Sequence, residues 1–420
     1  LQQLQNELPL MNTSEGFDVY RLREDFPIFS EKIYNRPLVY LDNGATTQKP
    51  RQVIQTMNDL LERKNSSIHR GVHHLSELMT DAYEGARAKV KEFLNARDTT
   101  EIIFTSGTTA SINLLAFSFG EKFVKEGDEI IISEMEHHSN IVPWQMLCER
   151  KKAKLKVIPF DENGELMQDE FRRLFSKRTK LLAITHVSNS LGTVNPVKEM
   201  TAFAHSQNVP VLVDGAQALQ HGKVDVQDLD CDFYGFSGHK IFGPTGIGVL
   251  YGRERLLDQL PPWQGGGDMV DCVRFEKTTY NILPFKFEAG TTPYIEAIGL
   301  GEALDYLRKA GLEAIAAHEQ DLLNYATESL LSIEGLKIFG NACRKISILS
   351  FRIGNHHPYD IGMILDKMGI AVRTGTHCTQ PVMDHFQISG TIRASMAFYN
   401  TREDVDALAS GLRKAISMLG

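Results

Sequence analysis

Cysteine is scarce in this 420-residue sequence: Cys148, Cys231, Cys272, Cys343 and Cys378 are odd in number, widely scattered and never in a C-x-x-C spacing. Neither a disulfide framework nor a metal site is expected from such a set, and reduced thiols are the default. Long apolar runs are also missing, so no membrane partner is expected. No sustained basic run occurs, and 45 basic against 53 acidic residues leave a net charge of −8, which argues against nucleic acid as a partner. The opening segment, LQQLQNELPLMNTSEGFDVYRLREDF, has no signal-peptide core and is neither Arg-rich nor acid-poor, as a transit peptide would be. A cytoplasmic location is the resulting expectation. Internal repeats and low-complexity tracts are absent as well.

What the chain does contain is an alternation of two periodicities. Helical patterns at Pro50 to Lys64, Ser76 to Asn95, Ser111 to Phe119, Ile141 to Arg150, Gln168 to Phe175 and Pro196 to Gln207 alternate with short apolar segments. Those segments are Ile102 to Thr105, Glu129 to Ile132, Lys156 to Pro159, Leu181 to Thr185, Val209 to Val213, Asp232 to Phe236 and Gly248 to Tyr251. Strand and helix in turn predict an α/β domain with a largely parallel sheet. Residues 1–30 read as an arm with a short helix near Val19 to Asp25, 31–294 as a large domain, and 295–420 as a smaller α+β domain. In the last, strands are expected at Ile333 to Phe339, Ile346 to Phe351, Ala371 to Arg373 and Thr391 to Ser395.

In open α/β sheets ligands sit beyond the carboxyl ends of strands, so the residues just after each strand are informative. The stretch VPVLVDGAQALQHGKVDVQDLDCDFYGFSGHKIFGPTG ends one apolar strand in Asp214 and leads the next into Ser237-Gly238-His239-Lys240. A carboxylate at a strand end can hold a pyridine nitrogen protonated, and a desolvated lysine amine can attach an aldehyde covalently. Together they read as a site for pyridoxal 5′-phosphate. Ser106-Gly107-Thr108-Thr109 then opens a helix, where backbone N–H groups and hydroxyls can meet a phosphate, or simply cap the helix. After the next strand stands His137, whose ring can stack on a flat ligand and move protons. Asn189 can bond a phenolic oxygen or a substrate carboxylate, Gln217 can reach the same phenolic oxygen, and Ser237 and His239 are further phosphate ligands. Arg393, in GTIRASMAFYN, can pair a substrate carboxylate bidentately or form a surface salt bridge. Cys378 lies in VRTGTHCTQP, a Gly- and Thr-rich loop in which neighbouring His377 and Arg373 could favour a thiolate; a cysteine on its own is more often a small buried apolar residue.

These residues closely resemble the fold-type I pyridoxal-phosphate enzymes of aminotransferase class V, and among them the cysteine desulfurases of the SUF iron–sulfur assembly system. The likeness runs through LDNGATTQKP, IHRGVHHLS, SGTTASINLLA, EMEHHSNIVPWQMLC, ITHVSNSLGTVNP, VDGAQA, DFYGFSGHKIFGPTGIGVLY, PPWQGGG, FEAGT, GIAVRTGTHC and IRASMAFYN. It implies a large domain with a mostly parallel seven-stranded sheet plus a smaller α+β C-terminal domain. By the resemblance Lys240 carries the cofactor, Asp214 meets the pyridine nitrogen, Gln217 meets the ring hydroxyl and His137 stacks on the ring. Thr108, Thr109, Ser237 and His239 surround the phosphate, joined by Thr291 from the second subunit of a homodimer. Asn189, Arg393 and Arg373 hold the substrate carboxylate, Cys378 takes the sulfur, and His69 and Arg70 lie near the site. The implied reaction turns L-cysteine into L-alanine with a persulfide passed to a SUF acceptor protein, and selenocysteine lyase activity as a side reaction. Two departures stand out. The family's common Gly-His-His-Cys-Ala is here Gly375-Thr376-His377-Cys378-Thr379, and its Arg-Gly-Thr-Thr is Ser106-Gly107-Thr108-Thr109. The rival readings are a class V aminotransferase with an inert Cys378 and a catalytically silent sulfur-assembly scaffold.

Overall fold

In the central strands successive side chains feed two different cores, so these strands are apolar along their whole length. Ile103, Ile130, Ile132, Leu181, Ala183, Leu212, Phe233 and Leu250 enter the core beneath the helices Thr108–Phe123 and Val142–Lys151. Their neighbours Ile102, Phe104, Ile131, Leu182, Ile184, Val211, Val213, Tyr234 and Phe236 enter the opposite core, with His74–Leu94, Val197–Ser206 and Tyr294–Ala310. Each fully buried aliphatic side chain contributes about 1.5–3 kcal/mol relative to an exposed one. A sheet covered on both faces is the setting in which parallel strands are stable.

The computed structural model describes residues 17–420, so the first sixteen residues of the expected arm lie outside it. Seven strands form the main sheet: β1 (Ile102–Thr105), β2 (Glu129–Ser133), β3 (Lys154–Ile158), β4 (Thr179–Thr185), β5 (Val211–Asp214), β6 (Phe233–Ser237) and β7 (Gly248–Gly252). Their spatial order is β1-β7-β6-β5-β4-β2-β3. Only β7 runs antiparallel to its neighbours. Its first residue, Gly248, therefore sits beside the last residues of β1 and β6, Thr105 and Ser237. A Cβ on Gly248 would come within 2.4 Å of the Gly107 Cα, so glycine is required where these backbones converge.

A second sheet holds β8 (Leu336–Phe339), β9 (Ile348–Ile353), β10 (Arg373–Gly375) and β11 (Thr391–Ser395), in the antiparallel order β8-β9-β11-β10. Two strand expectations need correction. The strand expected from Ile333 starts only at Leu336, because Gly335 turns the chain at φ 76°. The expected strand Ala371 to Arg373 is two pieces. Ile370–Ala371 pairs in parallel with Val39–Tyr40, and Arg373–Gly375 pairs with β11. Leu41 accordingly packs in the core built by residues of the C-terminal helices and β9. The helix near Val19 spans Val19–Glu24 and is tied to the C-terminal helix by Arg23 and Asp404, 2.8 Å apart.

Where β5 and β6 begin, at the opposite end of the main sheet from their C-terminal ends, His205 lies between two carboxylates. Nε2 is 2.7 Å from Asp232 and Nδ1 3.2 Å from Asp230. The hydrogen bond to Asp232, aided by both negative charges, raises the His205 pKa above its ordinary value. A group whose folded pKa is raised stabilises fully below its unfolded pKa, about 6.5, and loses that contribution as pH rises through the folded value. His205→Asn is therefore expected to destabilise most below about pH 6.5, with the difference from wild type shrinking at alkaline pH. Urea unfolding of both proteins from acidic to alkaline pH checks it; a difference that grows with pH would be the wrong sign.

Candidate functional site

The C-terminal ends of β1, β2, β4, β5 and β6 open on one cavity of about 210 Å³. Eleven of the residues singled out from the sequence line it: Thr108, Thr109, His137, Asn189, Asp214, Gln217, Ser237, His239, Lys240, Arg373 and Arg393.

Asp214 is the last residue of β5, and one of its oxygens accepts the Ala216 N–H at 3.0 Å. The other takes no hydrogen bond from the described residues, which leaves it for a ligand N–H. Burial raises its pKa, opposed by the Ala216 N–H and by the Lys240 charge. Lys240 ends the short turn Gly238–Lys240 that follows β6. Its amine makes no hydrogen bond or ion pair among the described residues. Burial brings its pKa down to about 8 even though Asp214 pulls the other way. An appreciable fraction is thus a free amine near neutral pH, as a carbonyl-attacking lysine requires.

The turn before the helix Thr108–Phe123 is shaped by Gly107 at φ 146°, so that the first N–H groups of a sixteen-residue helix border the cavity. Ser237 Oγ accepts the Thr108 N–H at 2.9 Å and lies 2.8 Å from the Thr108 hydroxyl. Helix N–H groups and clustered hydroxyls form a phosphate-binding set. His239 turns its backbone carbonyl to the N-terminal segment, where Thr47 N–H, the Thr46 and Thr47 hydroxyls and the Lys49 amine all donate to it.

Nδ1 of His137 accepts the Ser139 N–H at 3.1 Å, which puts the proton of the neutral ring on Nε2. Burial first, then the Lys240 charge, hold its pKa down to about 3, so the ring is neutral at physiological pH. Beneath it lies Glu136, fully buried, accepting from Thr185 N–H at 2.9 Å, from Asn140 at 2.7 Å and from the Ser133 hydroxyl. Burial raises its pKa to about 8.

Arg373 and Arg393 are direct partners on β10 and β11. Arg393 is 1% exposed; it donates to the Asn189 carbonyl at 2.9 Å and pairs with Asp42 at 3.0 Å, while its Nε has no partner among the described residues. The surface salt bridge weighed from sequence is therefore a pair between a buried arginine and a half-buried carboxylate. With Lys240 these arginines make the cavity cationic, suited to anionic ligands. Asn189 in turn donates to the His377 carbonyl at 2.8 Å.

That contact helps to pin the Cys378 loop, only four residues long between β10 and the helix Gln380–His385. The Cys378 carbonyl accepts from His138 N–H at 2.9 Å, and Thr379 closes back on the Thr376 carbonyl. His377 and Cys378 both adopt left-handed backbone, φ 54° and 59°. Cys378 is half-buried and does not line the cavity itself, although it lies within electrostatic range of Lys240 and Arg393. His377 does line it. Burial holds its pKa to about 3, so it adds no positive charge beside the thiol, contrary to the sequence expectation.

Thr291 is exposed and outside this cavity. His69 bonds Glu84 at 3.0 Å and Arg70 pairs with Asp268 at 2.6 Å, so neither reaches it either. Sequence reasoning overlooked Gly44 and Ala45, which form one wall, and Ser139. A Cβ on Gly44 would stand 3.1 Å from the Arg393 guanidinium carbon, so the backbone comes close there. The quoted LDNGATTQKP carried the only available signal, and it is not a local one.

A phosphate-bearing pyridine aldehyde fits these donors: a free amine, a carboxylate with a spare oxygen, a helix N-terminus and a flat neutral ring. Residues 39–408 match the family described as Aminotransferase class-V. A protein named cysteine desulfurase from Synechococcus elongatus is 51% identical over 399 residues, 95% of this chain, which spans only 64% of that relative's length. Another of that name from Salmonella agona is 49% identical over 405 residues, 96% of this chain and 100% of the relative. The crystal structure of the cysteine desulfurase CsdA from Escherichia coli superposes with a TM-score of 0.90 at 38% identity, covering 96% of this chain and 100% of that one.

Proposed function

The chain belongs to the aminotransferase class-V family and has its fold-type I architecture, and from that premise we propose that it is a pyridoxal-phosphate-dependent cysteine desulfurase. The observation that carries this reading is the pairing of a recessed, unpartnered Lys240 with a separately pinned Cys378 on the facing loop. An aminotransferase has no use for the second.

Lys240 would hold the cofactor covalently, Asp214 its ring nitrogen, Gln217 its ring oxygen, His137 its face, and Thr108, Thr109, Ser237 and His239 its phosphate. Thr291 from a second copy of the chain would complete the phosphate site in a homodimer. Once bound, pyridoxal phosphate supplies an electron-withdrawing ring that stores the electron pair left when the substrate loses its α-proton. Arg393 and Arg373, with Asn189, bind the substrate carboxylate, and the fixed spacing of β10 and β11 orients it. The freed Lys240 amine removes the α-proton. The Cys378 thiolate then attacks the substrate sulfur: a sulfur–sulfur bond forms, the Cβ–S bond breaks, and its electron pair goes to Cβ. Protonation of Cβ, for which the Nε2–H of His137 is the assigned donor, and return of the proton held by Lys240 to Cα together give L-alanine. Cys378 is left as a persulfide.

A four-residue loop cannot carry that persulfide far, since extended chain covers at most about 3.3–3.6 Å per residue. We accordingly assign sulfur collection to an acceptor protein of the SUF type, which brings a thiol to the cavity mouth. Selenocysteine would be a side substrate. No described helix is long and apolar enough to cross a membrane, and a cytoplasmic site of action is part of this proposal.

Incubating the cofactor-loaded protein with L-cysteine and a thiol reductant, without any keto acid, tests the reading. Alanine and sulfide are expected in equal amounts. Alanine that forms only after a keto acid is added would make the protein an aminotransferase instead.

A further inference from the structure

The Gln217 side chain reaches the cavity with its polarity already decided. Its Nε2 donates to the Gly44 carbonyl at 2.6 Å, and its Oε1 accepts from Nε2 of Gln220 at 3.2 Å. A backbone carbonyl only accepts, so the Gly44 contact identifies which end of the amide is nitrogen. Gln220 supports the same choice from the other end by donating to Oε1. Turned over, Gln217 would set oxygen against oxygen at Gly44 and nitrogen against nitrogen at Gln220. The second Nε2 proton is left uncommitted, on a residue that lines the cavity. Gln217 thus keeps a spare N–H donor for the cavity, while its Oε1 is engaged by Gln220.

Gln220 is 1% exposed, and its own Oε1 has no hydrogen-bond partner among the described residues. An orphaned buried carbonyl costs stability, so a residue kept only for packing would be better apolar here. The backbone beside Gln220 is anchored as well. The next residue, His221, is bonded through Nδ1 to Glu319 on the helix Leu312–Leu331, and Glu319 also accepts the Ser347 hydroxyl at 3.0 Å. The turn from Gly215 to His221 is therefore tied at one end to β5 and at the other to the C-terminal helix pair.

We propose that Gln220 is a positioning residue that locks the Gln217 amide with its N–H toward the cavity, so that the site accepts a ligand whose ring oxygen is an acceptor, as an ionised phenol is. The proposal rests on the pyridoxal phosphate reading above. It gives this chain a polar relay, Gly44–Gln217–Gln220, in which ligand polarity is chosen by a residue that never touches the ligand.

Equilibrium dialysis of full-length protein, freed of cofactor and titrated with pyridoxal phosphate, tests it alongside thermal unfolding of the cofactor-free proteins. Gln220→Met keeps the volume, removes the orphaned oxygen and releases one end of the amide. Its cofactor affinity is expected to fall about three- to tenfold, the worth of one ordinary hydrogen bond, with no drop in unfolding midpoint. Gln220→Glu sets an acceptor against Gln217 Oε1 and is expected to lose more. In a Gln217→Leu background neither change at 220 should alter affinity further. Wild-type affinity in both single variants, or losses that persist undiminished in the Gln217→Leu background, would overturn the proposal. A wild-type protein that takes up no pyridoxal phosphate would instead defeat the functional reading on which it rests.

Discussion

Lys240→Ala is expected to fold as the wild type does, to lose the visible absorbance of a covalently held cofactor, and to release no alanine from cysteine. Folding should survive because the Lys240 amine makes no hydrogen bond or ion pair that the native state depends on, among the described residues. Chemistry should not, because no other side chain can take over. The remaining cationic side chains of the cavity are the guanidinium groups of Arg373 and Arg393, which do not attack carbonyls. Lys49 comes near through its bond to the carbonyl of His239, the residue before Lys240, but its amine is held there and by the Thr47 carbonyl, outside the cavity. Loss of a general base alone costs about 10²–10⁴-fold in rate, and loss of the attachment point adds to it. Absorbance spectra and alanine assays read both effects. A variant that stays yellow and keeps a tenth of the wild-type rate would move the attachment point elsewhere.

Cys378→Ser is expected to separate binding from sulfur transfer. Cofactor and cysteine should bind normally, since Cys378 does not line the cavity and its backbone contacts to His138 and through His377 to Asn189 do not involve sulfur. Persulfide should vanish, and alanine formation should drop by about three orders of magnitude or more, the scale seen when an enzyme loses its nucleophile. No other thiol is placed to compensate. Burial pushes the Cys148 thiol up to about 11 and Cys231 higher still, and Cys272 and Cys343 are exposed away from the cavity. Selenocysteine, with a better leaving atom, is expected to retain part of its rate. Mass spectrometry of the protein after a single turnover checks the result, and a persulfide on any other cysteine would reassign the nucleophile.

Most of the cofactor wall was legible in the sequence because it follows strands that are buried on both faces. Such strands are written as short continuous apolar runs, and β5 and β6 deliver Asp214 and Ser237 to Lys240 within one or two residues of where the runs stop. The wall that carries Arg373 and Arg393 was less legible, for two physical reasons. β10 and the strand before it are too short to show alternation, so one expected strand proved to be two with different partners. The counter-charge of Arg393 comes from Asp42, 351 residues away, and no local pattern announces such a contact. Cys378 stood out through its Gly- and Thr-rich surroundings. That His377 beside it is held neutral depends first on its burial and then on the nearby Arg393 and Arg373 charges, against the opposing pull of its bond to Thr391, and only tertiary structure supplies these.

The pairing of Asp42 with Arg393, and of Val39–Tyr40 with Ile370–Ala371, also sets an order of events on the ribosome. At about 5–20 residues per second, roughly 18–70 s separate translation of the first member of the ion pair from that of the second. Through that interval the sheet and the Lys240 turn can form, while the segment that will wall the cavity has no strand to join. Until that segment docks, the site lacks the Arg393 and Arg373 charges that add to burial in lowering the Lys240 pKa, so the amine reaches its full readiness to attack a carbonyl only when the last strand is in place.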